Sequence, residues 1–190
     1  MSSQKIHTRS IVLILMIVAA TAMRFVSYKY PALSNFTPVG AIALFGGVYF
    51  SDKWKAYLVP LLAIFVSDIF INYLYTAKWV LYYSGSVWMY ICFAIMVFIG
   101  TLVEKVNVLN VAVASLAGVA IHWLIMDLPF LYGTMYPHTI AGYGQSLINA
   151  IPFERNMILG DVLFGAILFG GFELAKSKYT VLQNKKQLAL

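Results

Sequence analysis

Six runs of apolar residues, each approaching the length that carries a helix across a bilayer, dominate this chain and leave little room for a water-soluble fold. A crossing helix needs about 20 mainly apolar residues, because each residue rises about 1.5 Å through a hydrocarbon core about 30 Å thick. The runs are 11–26, 38–50, 56–75, 87–103, 108–126 and 157–174. Of the 190 residues 62% are hydrophobic and only 11% charged, with a mean hydropathy of +0.82. A soluble domain of this size could not bury that much apolar surface. The joints between runs are short and no Pro- or Ser-rich linker divides the chain. The expectation is therefore an all-α membrane protein, one integral domain spanning 1–190 and built as a six-transmembrane-helix bundle.

The second run is too short to cross upright and carries Pro38, Gly40, Gly46 and Gly47. A full crossing is expected over a re-entrant hairpin, because an uninterrupted helix satisfies its own backbone in lipid. Lys and Arg collect on the cytoplasmic side of short joints. With the N-terminus inside, nine basic residues fall there: Lys5, Arg9, Lys53, Lys55, Lys105, Lys176, Lys178, Lys185 and Lys186. Four, Arg24, Lys29, Lys78 and Arg155, fall outside. This bias supports an even number of crossings with both termini in the cytoplasm. The alternative for the first run is a cleavable signal peptide, suggested by Lys5, Arg9 and Ala20-Thr21-Ala22. Resumption of apolar character at Met23, Phe25 and Val26 favours a retained helix. The net charge of +6 sits in joints and ends rather than on a basic-aromatic face, so the expectation includes a lipid bilayer and no nucleic acid.

Ionisable residues within such helices are costly and usually face the bundle interior or an aqueous cavity. Asp68 and Asn72 lie four apart on one face of the third run, His122 lies in the fifth, Asp127 at its end, and Asp161 in the sixth. Counted along the helices, Asp68 is roughly 18 Å from the cytoplasmic edge and Asp161 roughly 9 Å below the outer surface. His122 falls in the outer third, Arg24 and Asn156 at outer helix ends, and Asn35 and Thr37 in the first outer loop. The pattern predicts a polar site facing outward, with Asn35, Thr37, Asp68, Asn72, His122, Asn156 and Asp161 binding substrate. Loops 27–37, 76–86 and 127–156 would roof it above an apolar, closed cytoplasmic half. Arg24, Asp68 and Asp161 are also expected to form a structural ion-pair network, with Arg24 near one carboxylate or the other.

Cys92 is the only cysteine, which excludes an intramolecular disulfide and a multi-cysteine metal site. It reads as a small buried hydrophobe. Tyr28, Tyr30, Trp79, Tyr82, Tyr83, Trp88, Tyr132, Tyr136 and Tyr143 form an interfacial belt, part of which could line a pocket. Ala43 with Gly47, Ala114 with Gly118, and Ala166 with Gly170 permit close helix approach. No nucleophile elbow, His-Glu-x-x-His or phosphate loop occurs, so no catalytic residue, metal or cofactor is expected and the protein is not read as an enzyme.

Three blocks carry a resemblance: 35–41 with 44–47 and 49–53 (NFTPVGA, LFGG, YFSDK), 59–62 through Ser67-Asp68, and 151–156 (IPFERN) through Leu159-Gly160-Asp161. From about Arg24 to Gly171 the chain resembles an uncharacterised bacterial membrane family grouped with transport proteins. That family is similar in size and layout to the S components of energy-coupling-factor vitamin transporters, six-helix proteins that bind vitamins from the outer side. The nearest characterised kind is a solitary cobalamin transporter that works without a dedicated ATPase module and places a cysteine on the cobalt. Here the candidate is Cys92, which lies inside the fourth run rather than in the preceding loop. His122 is the other residue that could meet a metal-containing ligand. The resemblance implies a membrane-embedded binding and uptake protein for a small vitamin-like solute, alone or with an energising transmembrane and ATPase module. The alternative is a membrane enzyme using Asp68, His122 or Asp161 as acid–base groups on a lipid-soluble substrate.

Overall fold

The computed structural model describes residues 2–183, with side chains from Thr8 onward apart from Pro31; the charges of Lys5, Lys185 and Lys186 lie outside the described side chains. Every regular element among the described residues is helical: α1 (Ser2–Ala22), α2 (Arg24–Lys29), α3 (Val39–Tyr49), α4 (Lys53–Thr76), α5 (Ser86–Thr101), α6 (Val108–Met126), α7 (Ile140–Gly165) and α8 (Gly171–Lys178), with short 3-10 turns between some of them. Segments Thr8–Lys29, Lys53–Thr76, Val108–Met126 and Ile140–Lys178 are long and apolar enough to cross a membrane, and α3 and α5 are shorter apolar helices. Their outward faces carry large aliphatic side chains such as Leu15, Leu62, Val113 and Val162, 50–65% exposed. So much uncovered apolar surface fits lipid as the surrounding medium, not water.

α3 is the axis of the bundle. It packs against α1, α4, α5, α6 and α7, and apart from Val48 every residue in it is buried. A helix apolar on all sides belongs in an interior. Its glycines set how closely the neighbours approach. A Cβ on Gly47 would lie 2.1 Å from the Val97 carbonyl oxygen of α5, and one on Gly100 of α5 would lie 2.5 Å from the Leu44 carbonyl oxygen. On the other side, a Cβ on Gly46 would lie 2.3 Å from the Pro60 ring of α4. Pro60 donates no hydrogen bond to the Ala56 carbonyl, and the bare Gly46 backbone packs at that gap. Gly118 of α6 makes a looser version of the same approach against Met96. Gly170 has nothing within 4 Å, so the 166/170 pair serves no close approach among the described residues.

The largest departure from the sequence reading concerns the last helix. Its start was placed near Met157 with 127–156 as loop, but the helix begins at Ile140 and continues through a π-helical segment, Ala166–Gly170, into α8, 39 residues to Lys178. Thr139 caps it by accepting from the Gly142 amide. Pro152 leaves the Ile148 carbonyl without its usual donor, and both residues lie on the exposed face of the helix. Three of the polar residues that lower the hydropathy of 145–156 find partners elsewhere: Ser146 on the Asp127 carbonyl at the end of α6, Glu154 on His122 of α6, and Asn156 on the first loop. That loop, between α2 and α3, folds into the bundle. Ser27 Oγ donates to the Phe36 carbonyl, and Asn156 Nδ2 donates to the carbonyls of Ala32 and Ser34 at 3.0 and 2.9 Å. Thr37 lies against Gly160, where a Cβ would stand 2.8 Å from the Thr37 carbonyl oxygen.

Candidate functional site

The seam between α6 and α7 places three carboxyl groups at successive levels. The helices run antiparallel, so residues advancing on one meet residues receding on the other. At the loop end, the Asp127 backbone carbonyl accepts from Ser146 Oγ, and its carboxylate accepts from Tyr132 at 3.0 Å. Next, His122 Nδ1 meets Glu154 Oε1 at 3.2 Å, with the imidazole stacked on Phe93 of α5 at 6.0 Å. Deepest, Ser115 Oγ donates to Asp161 Oδ2 at 2.7 Å.

Asp127, Glu154 and Asp161 are each about 95% buried. Glu154 Oε2 and Asp161 Oδ1 have no hydrogen-bond partner; the Ala41 amide faces the Asp161 carboxylate without good bonding geometry. A Cβ on Gly40 would lie 2.5 Å from Asp161 Oδ1, so only glycine lets α3 approach this carboxylate. Burial pushes the Asp127 carboxyl up to about 6, with Glu154 adding to the rise and the Tyr132 hydroxyl opposing it. The same burial, with Asp127 beside it, raises the Tyr132 phenol above its ordinary range.

The expected depth of Asp161 is corrected by this register. Counted from a helix start near Arg155, it stood close to the outer surface. Its partner Ser115 instead lies about 17 Å from Met126 and about 10 Å from Val108 along α6. Asp161 is therefore a mid-bundle residue, and the polar groups do not all gather in one half.

A second constellation joins α2 to α4. Arg24 Nη2 donates to Asp68 Oδ1 at 2.6 Å, and Nη1 donates to Ser67 Oγ and to the Ile64 carbonyl. Tyr90 of α5 donates to Asp68 Oδ2, so both carboxylate oxygens are bonded. The guanidinium and carboxylate are 11% and 8% exposed. The ion pair is thus Arg24 with Asp68; Asp161 is not part of it, because it stands on α7 against α6 and α3.

The remaining residues proposed from sequence are dispersed. Asn72 Nδ2 donates to the Val80 carbonyl and ties down the α4–α5 loop. Asn156 fastens the first loop, as described above. Asn35 is exposed with φ 64°, the left-handed conformation that Asn tolerates at a turn. The Thr37 backbone lies against Gly160, the residue before Asp161. The structure therefore brings Thr37, Asn156 and Asp161 to one stretch of α7 with His122 above them. Asp68 and Asn72 stand elsewhere.

Sequence reasoning missed Glu154, Ser115 and Tyr90. Glu154 was read as part of a loop, whereas Ser115 and Tyr90 carry no signal until a partner helix is known. Cys92 is fully buried.

The opposite end of the bundle carries polar contacts of its own and is not apolar. Arg9 donates to the carbonyls of Tyr49 and Leu182 at 2.8 and 2.9 Å and stands over the Phe172 ring. Tyr49 Oη donates to Glu173 at 2.7 Å, and Lys176 pairs with the same carboxylate. An open groove of about 560 Å³ lies at this end, between α5 and α6, lined by Leu102, Val103, Lys105, Leu109 and Val113 among others. Among the described residues no group of three or more His, Cys, Asp or Glu could hold a metal ion.

The chain belongs to a family of unknown function, DUF6580, whose profile matches residues 4–184. No curated protein matches it, and no solved structure does.

Proposed function

We propose that this member of the DUF6580 family is a membrane-embedded binding and uptake protein for a small vitamin-like solute. In this reading α1–α2, α3, α4, α5, α6 and α7–α8 make six crossings, as in S components of vitamin transporters. Both termini are cytoplasmic and the solute enters at the end carrying Arg24 and Asp127. The observation that carries the reading is Asp161, a carboxylate 6% exposed at mid-bundle with one oxygen lacking a partner. An unpartnered buried acceptor costs about 1–3 kcal/mol or more, and a solute donor reaching it would remove that cost. Thr37, the Asn156-anchored first loop and His122 border the same stretch of α7. The arrangement suits a small molecule held between the loop and the α6–α7 seam. An energising transmembrane and ATPase module is a further proposed partner.

The test is to purify the protein in mild detergent, identify the copurifying small molecule by mass spectrometry and titrate it back. Asp161→Asn keeps the shape and removes the charge. It should weaken binding by about 10- to 150-fold, the worth of a hydrogen bond to a charged group, with thermal unfolding little changed. Full affinity in Asp161→Asn would overturn the assignment.

A further inference from the structure

The three carboxyl groups of the α6–α7 seam form a ladder. Asp127, Glu154 with His122, and Asp161 with Ser115 follow one another from the loop end to mid-bundle. At about 1.5 Å per residue of α6, the first step is about 8 Å and the second about 10 Å, so the lowest rung stands past the middle of the helix. Glu154 and Asp161 are both buried, each with one polar side chain, His122 and Ser115, on a single oxygen. The middle rung is chemically incomplete: Glu154 is 5% exposed, His122 occupies Oε1, and Oε2 meets no donor. An ionised carboxylate with a bare oxygen in such surroundings is expensive, whereas a proton on that oxygen removes the charge. The imidazole against Oε1 is a second place for the same proton.

We infer that the α6–α7 seam is a proton-binding pathway, entered at Asp127, carried on the Glu154–His122 pair and ending at Asp161.

One proton on the Glu154–His122 pair gives either imidazolium with carboxylate or neutral imidazole with carboxylic acid. The net charge is zero in both, which is the form that an apolar interior tolerates. Loss of that proton to Asp161 leaves the pair negative, and a proton from Asp127 restores it. The gaps of about 8–10 Å exceed a hydrogen bond, so water entering the seam completes each transfer. The groups facing Glu154 are His122 on α6, Asp127 and Tyr132 at the loop end, Cys92 on α5 and Asp161 on its own helix. Asp127, with its carboxyl raised to about 6, is suited to trade protons with water at the entrance. The inference rests on the transport reading only for what the proton is used for. There it would supply coupling energy to solute movement.

The experiment is an infrared titration of the full-length protein in phosphatidylcholine–phosphatidylglycerol vesicles, with no solute added. At neutral pH the wild type should show the C=O stretch of a protonated carboxylic acid. The band should vanish on alkalinisation, shift promptly in D₂O and be absent from Glu154→Gln. Removing His122, whose cationic form favours the carboxylate, should move the band's disappearance upward by about one to three pH units in His122→Gln. Exchange into D₂O should be slower in Asp127→Asn than in wild type. The wild-type exchange and the His122→Gln shift keep the test decisive if Glu154→Gln fails to fold. A protein with neither a Glu154-dependent acid band nor a His122-dependent imidazolium band between about pH 5 and pH 9 would overturn the pathway. So would a band unmoved by D₂O, an unshifted His122→Gln, or exchange unaffected by Asp127→Asn. Solute titration reads the transport reading separately, since loss of the band leaves solute affinity to be measured on its own.

Discussion

Removing the Arg24 side chain should destabilise the bundle more than any other single truncation at that end, because it strands a buried carboxylate. Arg24 and Asp68 are 11% and 8% exposed and 2.6 Å apart, and Arg24 also holds Ser67 and the Ile64 carbonyl. Breaking one side of such a pair typically costs about 3–5 kcal/mol. For a chain of this size that corresponds to a fall of roughly 6–20 °C in melting temperature.

Cys92 supplies the assay: it is the only cysteine and is fully buried, so a fluorogenic thiol reagent in detergent reports unfolding directly. Asp68→Asn alone should also destabilise, since it leaves a buried guanidinium facing a neutral amide. The double variant Arg24→Ala, Asp68→Asn should cost less than the sum of the two by about 1–3 kcal/mol. Arg24→Ala combined with Asp161→Asn should be additive, because the two sites share no partner. Additivity in the first double variant, or coupling of that size in the second, would refute the pairing.

Gly47→Ala drives a methyl group into the Val97 carbonyl oxygen, a backbone atom that cannot swing aside. It should cost about 1–3 kcal/mol or more, read with the same thiol reagent, whereas Gly170→Ala, with nothing within 4 Å, should be near neutral. Asp127 has a folded-state value raised to about 6 from 3.8, so the native state binds the extra proton across that window. Its contribution to stability is full below about 3.8 and is lost as pH rises through about 6. Asp127→Asn should remove that part of the pH dependence of melting. Tyr132→Phe, which deletes the opposing hydrogen bond, should move it to higher pH. In a Cys92→Ser background on intact cells, a cysteine at position 78 should react with an impermeant maleimide, and one at 105 should not. Labelling of 105 from outside would reject the proposed orientation.

Much of the architecture was legible because lipid imposes strict rules on sequence. Apolar runs of bilayer length can be only helices or strands of a closed barrel. Runs of 13–20 residues separated by short polar joints marked α3, α4, α5 and α6 to within a few residues of their ends. Arg24 was recognisable as a residue needing a partner, since a guanidinium among apolar neighbours cannot remain unpaired at tolerable cost. The last helix was hidden for the converse reason. Hydropathy counts residues without knowing which will be paired. Ser146, Glu154 and Asn156 therefore read as loop, although each meets a polar partner on a neighbouring segment.

By itself, then, the sequence determined the helical class, the medium in which the protein folds and the short list of ionisable residues that must be accommodated. Only the tertiary structure decided their company. The choice of Asp68 over Asp161 for Arg24, the meeting of His122 with Glu154 and the mid-bundle depth of Asp161 all follow from helix register. That register is set by contacts remote in sequence, such as Gly47 on Gly100 and Gly160 on Thr37. A one-dimensional pattern records which faces are apolar, but the level at which two helices meet is fixed by where bare backbone lets them touch.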